Sequence, residues 1–230
     1  DNLHDRDGYW YGLSQRARVI FYNPKKVDAA ELSTYEALAD VKWKGRICTR
    51  SGKHPYNLAL IASMIAHHGE AKATEWLKGV KANLARKPQG NDRAQVKAIK
   101  EGVCDLSLGN NYYYGKMLDN PDQIAWANAV HITFPNQENR GTHVNISGMV
   151  LTKSAPNKAS AIKLMEFLSQ QTAQEMYSEQ NFEYPANPAV KPSALLQSWG
   201  NFKSDSLPLS DIAKYRKQAA IIVDQIGFDE

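Results

Sequence analysis

Cysteine is nearly absent. Two in 230 residues, Cys48 and Cys104, are too few for a disulfide scaffold or a zinc site. Each lies in or beside a strand-like segment, so a single disulfide in an oxidising compartment and a pair of buried thiols both fit. An excess of one charge is missing too: 28 basic against 24 acidic residues leave a net charge of +4. The basic residues are scattered, the aromatics do not interleave with them, and no recognised motif occurs, so a nucleic-acid partner is not indicated. No apolar run approaches the roughly 18 residues of a membrane span. The opening "DNLHDRDGYW" lacks the apolar stretch of a signal peptide and runs from a polar turn straight into a strand. A missing leading segment is the expectation there.

Catalytic signatures are also lacking. There is no Gly-x-Ser-x-Gly elbow, no Gly-x-Gly-x-x-Gly fingerprint, no P-loop and no His-Glu-x-x-His. His67 and His68 fall at a predicted helix end and read as solvated. His4, His54, His131 and His143 stand alone in the sequence and read as surface or capping residues. The chain is expected not to be an enzyme.

What is present is an ordinary globular composition, 43% hydrophobic and 23% charged, with room for one large or two small domains. Strand-like segments alternate with helical ones. "RARVIFYN", Arg16 to Asn23, reads as the first strand, and a short helix is expected over Ala29 to Leu38. Arg46 to Thr49 reads as a strand. Pro55 opens a helix that Gly69 closes, and a second helix covers Glu70 to Leu84. Asn91 or Asp92 is placed to cap a third. "VCDLSLGNN" is apolar enough for a strand buried on both faces. "VHITFP" and "ISGMVLTK" read as further strands, then two amphipathic helices, a Pro-rich loop "EYPANPAVKPS", and one helix over Ser210 to Ile226. The pattern predicts an α/β fold with a mostly parallel sheet, whose ligands sit beyond the carboxyl ends of strands.

Two segments occupy that position: "SGKHPY" and "LGNNYYYGK". Three consecutive tyrosines cannot all face one core. At least one of Tyr112, Tyr113 and Tyr114 must face something else, either a turn rim or a ligand. A phenol is a hard oxygen donor, anionic once deprotonated, and a strongly charged cation displaces its proton. Ca²⁺ and Mg²⁺ sites are built mainly from carboxylates and carbonyls. Several phenolates together point to Fe³⁺.

The blocks "RARVIFYNP", "LADVKWKGRICTRSGKHPYN", "KPQGNDRAQVKAIKEGVCDLSLGNNYYYGKML", "ISGMVLTKSAPNKASAIKLMEFLS" and "NFEYPANP" resemble, in order, those of the periplasmic ferric-ion-binding proteins. These are the substrate-binding components of bacterial iron(III) ABC importers. The resemblance covers essentially the whole chain, and its most specific part is the tyrosine block. It implies a two-lobed type 2 periplasmic-binding-protein clamshell of class α/β, with the N-terminal part of one lobe missing. Residues 19–142 plus 194–230 would form the lobe carrying the tyrosines, and 1–18 plus 143–193 what is present of the other. Crossings are implied near Arg16 to Ile20, near His143 to Gly148 and after Tyr184. The implied iron ligands are Tyr56, Tyr112 and Tyr113, with Tyr114 behind them. Arg16 matches an arginine near the metal, placed to neutralise phenolate charge or hold a carbonate-like anion. Asn91 and Asn110 are weaker candidates for polar contacts around the site. The implied function is extracytoplasmic Fe³⁺ binding by a monomer in the periplasm and delivery to an inner-membrane ABC permease. The rival is a same-fold binding protein for an organic or oxyanion solute, such as a polyamine or phosphate.

Overall fold

One strand organises the molecule. In the computed structural model, which describes residues 3–5 and 7–230, β1 (Tyr11–Tyr22) pairs along different parts of its length with four other strands. Asp1, Asn2 and Arg6 of the expected 1–18 segment lie outside the described residues. Three short 3-10 turns, Ala29–Leu32, Glu36–Ala39 and Val41–Trp43, follow β1. Then come β2 (Ile47–Cys48), α1 (Pro55–His68), α2 (Glu70–Ala82), α3 (Asp92–Lys100), β3 (Leu106–Asn110), α4 (Asn111–Leu118), α5 (Ile124–Ala127) and β4 (His131–Thr133). β5 (Val144–Met149), α6 (Lys158–Leu168), α7 (Gln171–Gln180), β6 (Tyr184–Pro185), α8 (Ala194–Ser198), α9 (Leu209–Lys214) and α10 (Arg216–Gln225) complete the order.

The expected mostly parallel sheet is corrected. β1 runs antiparallel to β3, β4, β5 and β6, and the parallel pair is β2 with β3. The alternation of strands and helices in the sequence misled because the four antiparallel partners all return to the same long strand. Arg18–Tyr22 pairs with β3, Ile20–Tyr22 also with β4, and Tyr11–Ala17 with β5. The strand therefore starts five residues before the sequence-expected Arg16, in a stretch whose buried Leu13 stands among polar neighbours and makes no continuous apolar run.

Alternation along β1 builds two cores, one on each face. Ile20 and Tyr22 join the core made with α1, α2 and the C-terminal helices. Ala17, Val19 and Phe21 join the one made with α3, α4 and α5, which also holds Cys48 and Cys104. Those two cysteines form a disulfide with Cα atoms 5.8 Å apart, tying the end of β2 to the approach to β3.

Other local expectations also change. The helix over Ala29 to Leu38 is two 3-10 turns, because Asp28 caps the first through Ala30 N and the Thr34 hydroxyl restarts the chain at Ala37 N. The helix over Ser210 to Ile226 is α9 and α10, which meet at Tyr215 and both pack on α1. Within the Pro-rich loop, β6 pairs with Ser14 and Gln15 of β1. His67 and His68 are not merely solvated: their Nε2 atoms lie 2.7 Å from Asp205 and Glu36. His143 is buried rather than on the surface. Burial holds its pKa down to about 4, with Arg18, Arg140 and His67 adding to the effect against the opposing pull of Asp205.

Candidate metal centre

The parallel pair is where the chemistry gathers. β2 and β3 run side by side, Cys48 opposite Ser107, so their carboxyl ends open at one edge. A short turn after β2 leads into α1, with Tyr56 as its second residue, and β3 passes directly into α4, with Tyr112 and Tyr113 in its first turn. The rule that ligands lie beyond parallel strand ends thus applies locally, although the sheet as a whole is antiparallel. Both helices begin at this edge, and their N-terminal partial charges favour anionic groups.

Asparagines and glycines set the tyrosine run. Asn111 Oδ1 accepts from Ala17 N at 2.8 Å, and its Nδ2 donates to Phe182 O at 2.9 Å, binding the start of α4 to β1 and to the segment after α7. At Gly109 a Cβ would sit 2.2 Å from the Phe21 ring, and at Gly115 one would sit 2.3 Å from the Phe182 ring. Only glycine lets those rings close over the turn.

Successive helical residues splay by about 100°, and the three tyrosines divide accordingly. Tyr112 OH lies 3.1 Å from Tyr56 OH. The Tyr112 and Tyr113 rings are 4.3 Å apart between centroids. Tyr114 turns the other way, against Phe21 and Trp199, with its hydroxyl directed at Val130 O. Burial pushes the Tyr112 pKa up, and hydrogen bonding with Tyr113 and Tyr56 pushes it further. Without a cation Tyr112 keeps its proton.

Cations surround it. The guanidinium carbons of Arg16, Arg18 and Arg50 lie 5.6, 5.9 and 5.2 Å from the Tyr56 ring centroid, and that of Arg93 lies 5.7 Å from the Tyr113 ring. Arg16 also donates to Ile146 O at 2.5 Å. Asp92 is the carboxylate among them, 2.7 Å from Arg18 and 3.1 Å from Arg50. Three guanidinium groups against one carboxylate leave local positive charge beside Tyr56. Asn110 Oδ1 accepts from Arg18. Asn91 is occupied as the cap of α3, accepting from Ala94 N. His54 Nδ1 caps α1 by accepting from Tyr56 N, and its ring packs edge-on against that tyrosine.

Sequence reasoning missed Arg18, Asn57, Asp92 and Asn111. The signal was present for one of them: an arginine in the middle of an apolar strand demands a buried partner. Among the described residues no cluster of three or more His, Cys, Asp or Glu side chains is arranged to hold a metal. The convergent hard donors are the phenols.

An α/β frame with a donor cluster at the mouth of paired strands defines a solute-binding protein, and the chain belongs to the bacterial extracellular solute-binding protein family, whose model matches residues 1–202. It is 46% identical over 228 residues to iron uptake protein A1 of Synechocystis, covering 98% of this chain and 63% of that protein. The chain therefore spans less than two thirds of that relative's length. The apo ferric ion-binding protein A of Pasteurella haemolytica superposes with a TM-score of 0.96 at 51% identity, covering all of this chain and 72% of that one. The Trichodesmium FutA protein, solved with iron and citrate, superposes at 0.95 with 46% identity, covering 99% and 72%. The fold is that of the two-lobed type 2 periplasmic binding proteins. Among the described residues no helix is long and apolar enough to cross a membrane.

Proposed function

We propose that this chain carries the Fe³⁺ site of a non-enzymatic, extracytoplasmic binding protein that delivers iron to an inner-membrane ABC permease. The observation that carries the reading is the approach of the Tyr56 and Tyr112 hydroxyls to 3.1 Å, with the Tyr113 ring tilted against that of Tyr112. Tyr56, Tyr112 and Tyr113 are the proposed ligands. Three phenolates neutralise a trivalent ion, and Arg16 is the proposed seat of a carbonate-like anion. Tyr114 acts by packing alone. The names of the relatives support iron over an organic or oxyanion solute. Periplasmic location and a monomeric state belong to the same proposal. So does a division into lobes of 19–142 plus 194–230 and of 1–18 plus 143–193, consistent with the switch of β1 between partners at Ala17 and Arg18.

The test is an iron titration followed by the visible phenolate-to-iron band. Binding releases phenol protons, so affinity falls as pH falls. The proton on Tyr112 is held above the ordinary phenol range by burial and by its hydrogen bonds to Tyr113 and Tyr56, which steepens that competition. Tyr112→Phe keeps the ring and removes the donor. It weakens binding by roughly 10–100-fold or more and shifts the band, whereas Tyr114→Phe leaves both nearly unchanged. Equal, small effects from the two variants, with unchanged circular dichroism, refute the site.

A further inference from the structure

We infer that the buried Arg18–Asp92 pair is the positioning centre of the phenol cluster, fixing the distance between Tyr56 on α1 and Tyr112–Tyr113 on α4. The inference rests on the proposed function and adds residues that act on the metal through the tyrosines.

Arg18 is 2% exposed and Asp92 is fully buried. Such a pair is a poor stabiliser, because stripping two charges of water costs about as much as their attraction returns. What it supplies is direction. The Arg18 fork reaches three elements at once. Its Nη1 donates to Asp92 Oδ2 at 2.7 Å and to Asn110 Oδ1 at 3.1 Å, and its Nη2 donates to Asn57 Oδ1 at 2.6 Å. Asn57 follows Tyr56 directly, and Asn110 precedes Tyr112 by two residues. Asp92 closes the arrangement by accepting from Asn110 N at 2.9 Å and from Arg50 at 3.1 Å. Asn57 Nδ2 in turn holds Arg50 O, Ser51 O and Thr49 Oγ1, the turn that feeds α1. One guanidinium and one carboxylate thus join β1, α1, α3 and the β3–α4 junction. Both phenol-bearing helices hang from this pair by asparagines next to, or two residues from, the tyrosines. A planar, five-donor fork does this where a lysine ammonium cannot.

Two readouts separate positioning from plain stability. Replacing the pair with apolar residues, Arg18→Met with Asp92→Leu, removes both charges together, so that Arg50, 12% exposed, is the one group left without its carboxylate. In the metal-free chain with ring-labelled tyrosine, the Tyr56–Tyr112 ring cross-peak of the wild type weakens several-fold in the double variant. In the iron titration, affinity drops about tenfold or more and the visible band shifts, with far-UV circular dichroism unchanged. Arg18→Lys, which keeps the charge but not the fork, falls between the two and is read in the same way if the double variant does not fold. A folded variant that keeps both the cross-peak and wild-type affinity overturns the inference. If the wild type shows no iron band, the proposed function fails, and the metal-free cross-peak still decides whether the pair sets the tyrosines.

Discussion

Strands β3 and β5 are both laid antiparallel on β1, yet they end in opposite conditions. All five residues of β3 are buried. None of the six in β5 is. The helices tell the same story: α1 buries eight of its residues, while α6, also amphipathic, buries none. Pairing into a sheet satisfies the backbone but does not remove side chains from water; a covering layer on each face does that. β3 has α1 on one side and α3 with α4 on the other. Between β5 and α6 a groove of about 710 Å³ stays open, lined by Tyr9, Tyr11, Met149, Leu151, Ile162 and Met165 among others. The phenol cluster stands in the doubly covered region and shares no lining residue with that groove.

Substitutions break this comparison most plainly in the covered region. Trp43 is fully buried and its Nε1 donates to Ala37 O. Trp43→Ala lowers unfolding free energy by about 4 kcal/mol, whereas Leu164→Ala on α6, where the side chain is 56% exposed, changes it by less than about 0.5 kcal/mol. Urea denaturation of the two variants measures both. A comparable loss at Leu164 would erase the distinction.

The disulfide sharpens the same contrast, because it staples the covered region across a sequence separation of 56. Cys48→Ala with Cys104→Ala costs about 3 kcal/mol, read as a lower urea midpoint, and thiol reduction of the wild type gives a matching shift.

The smallest expected effect lies at the join of the two regions. His143 stands just before β5, its carbonyl accepting from Arg18 N at 3.0 Å. It is buried neutral, with a pKa near 4 against an ordinary 6.5, through burial and the neighbouring arginines, partly offset by Asp205. The unfolded chain takes up a proton between these values and the folded chain does not. Stability therefore falls as pH drops from about 6.5 to about 4, by about 2 kcal/mol. His143→Gln flattens that slope in urea midpoints measured across the window. Glu36 contributes at lower pH. Burial opposes its ionisation, but hydrogen bonds from Asn136 and Arg140 prevail and hold it near 2, so its share is lost only below about 4.5.

The covered region was also the more legible in sequence. Pro55 and Gly69 bracket α1, Asn91 caps α3, and the uninterrupted apolar run before the tyrosines marks β3, because each of these signals is local. The direction of strand pairing was not legible. It depends on which strand returns to β1, and nothing in a single segment encodes that. The polar half of β1, Tyr11 to Gln15, went unread for the reason that β5 stays open: a strand covered on one face only carries no continuous apolar run. The tyrosine run could be read as a cluster because phenols at two strand ends are a chemical oddity. The Arg18–Asp92 contact, bridging 74 positions of sequence, could not.

The twelve residues of β1 act as a ruler with two kinds of mark. Odd positions from Ala17 to Phe21 face one core, and even positions carry Arg18, Ile20 and Tyr22 towards the other. A single inserted codon between Arg16 and Arg18 exchanges the two kinds downstream and presents a guanidinium to one core and an aliphatic chain to the phenols. Inserting two codons restores parity but slides Arg18 off Asn57 and Asp92. Where loops forgive changes of length, this strand admits neither gain nor loss, and the reading frame of the phenol cluster is written in its parity.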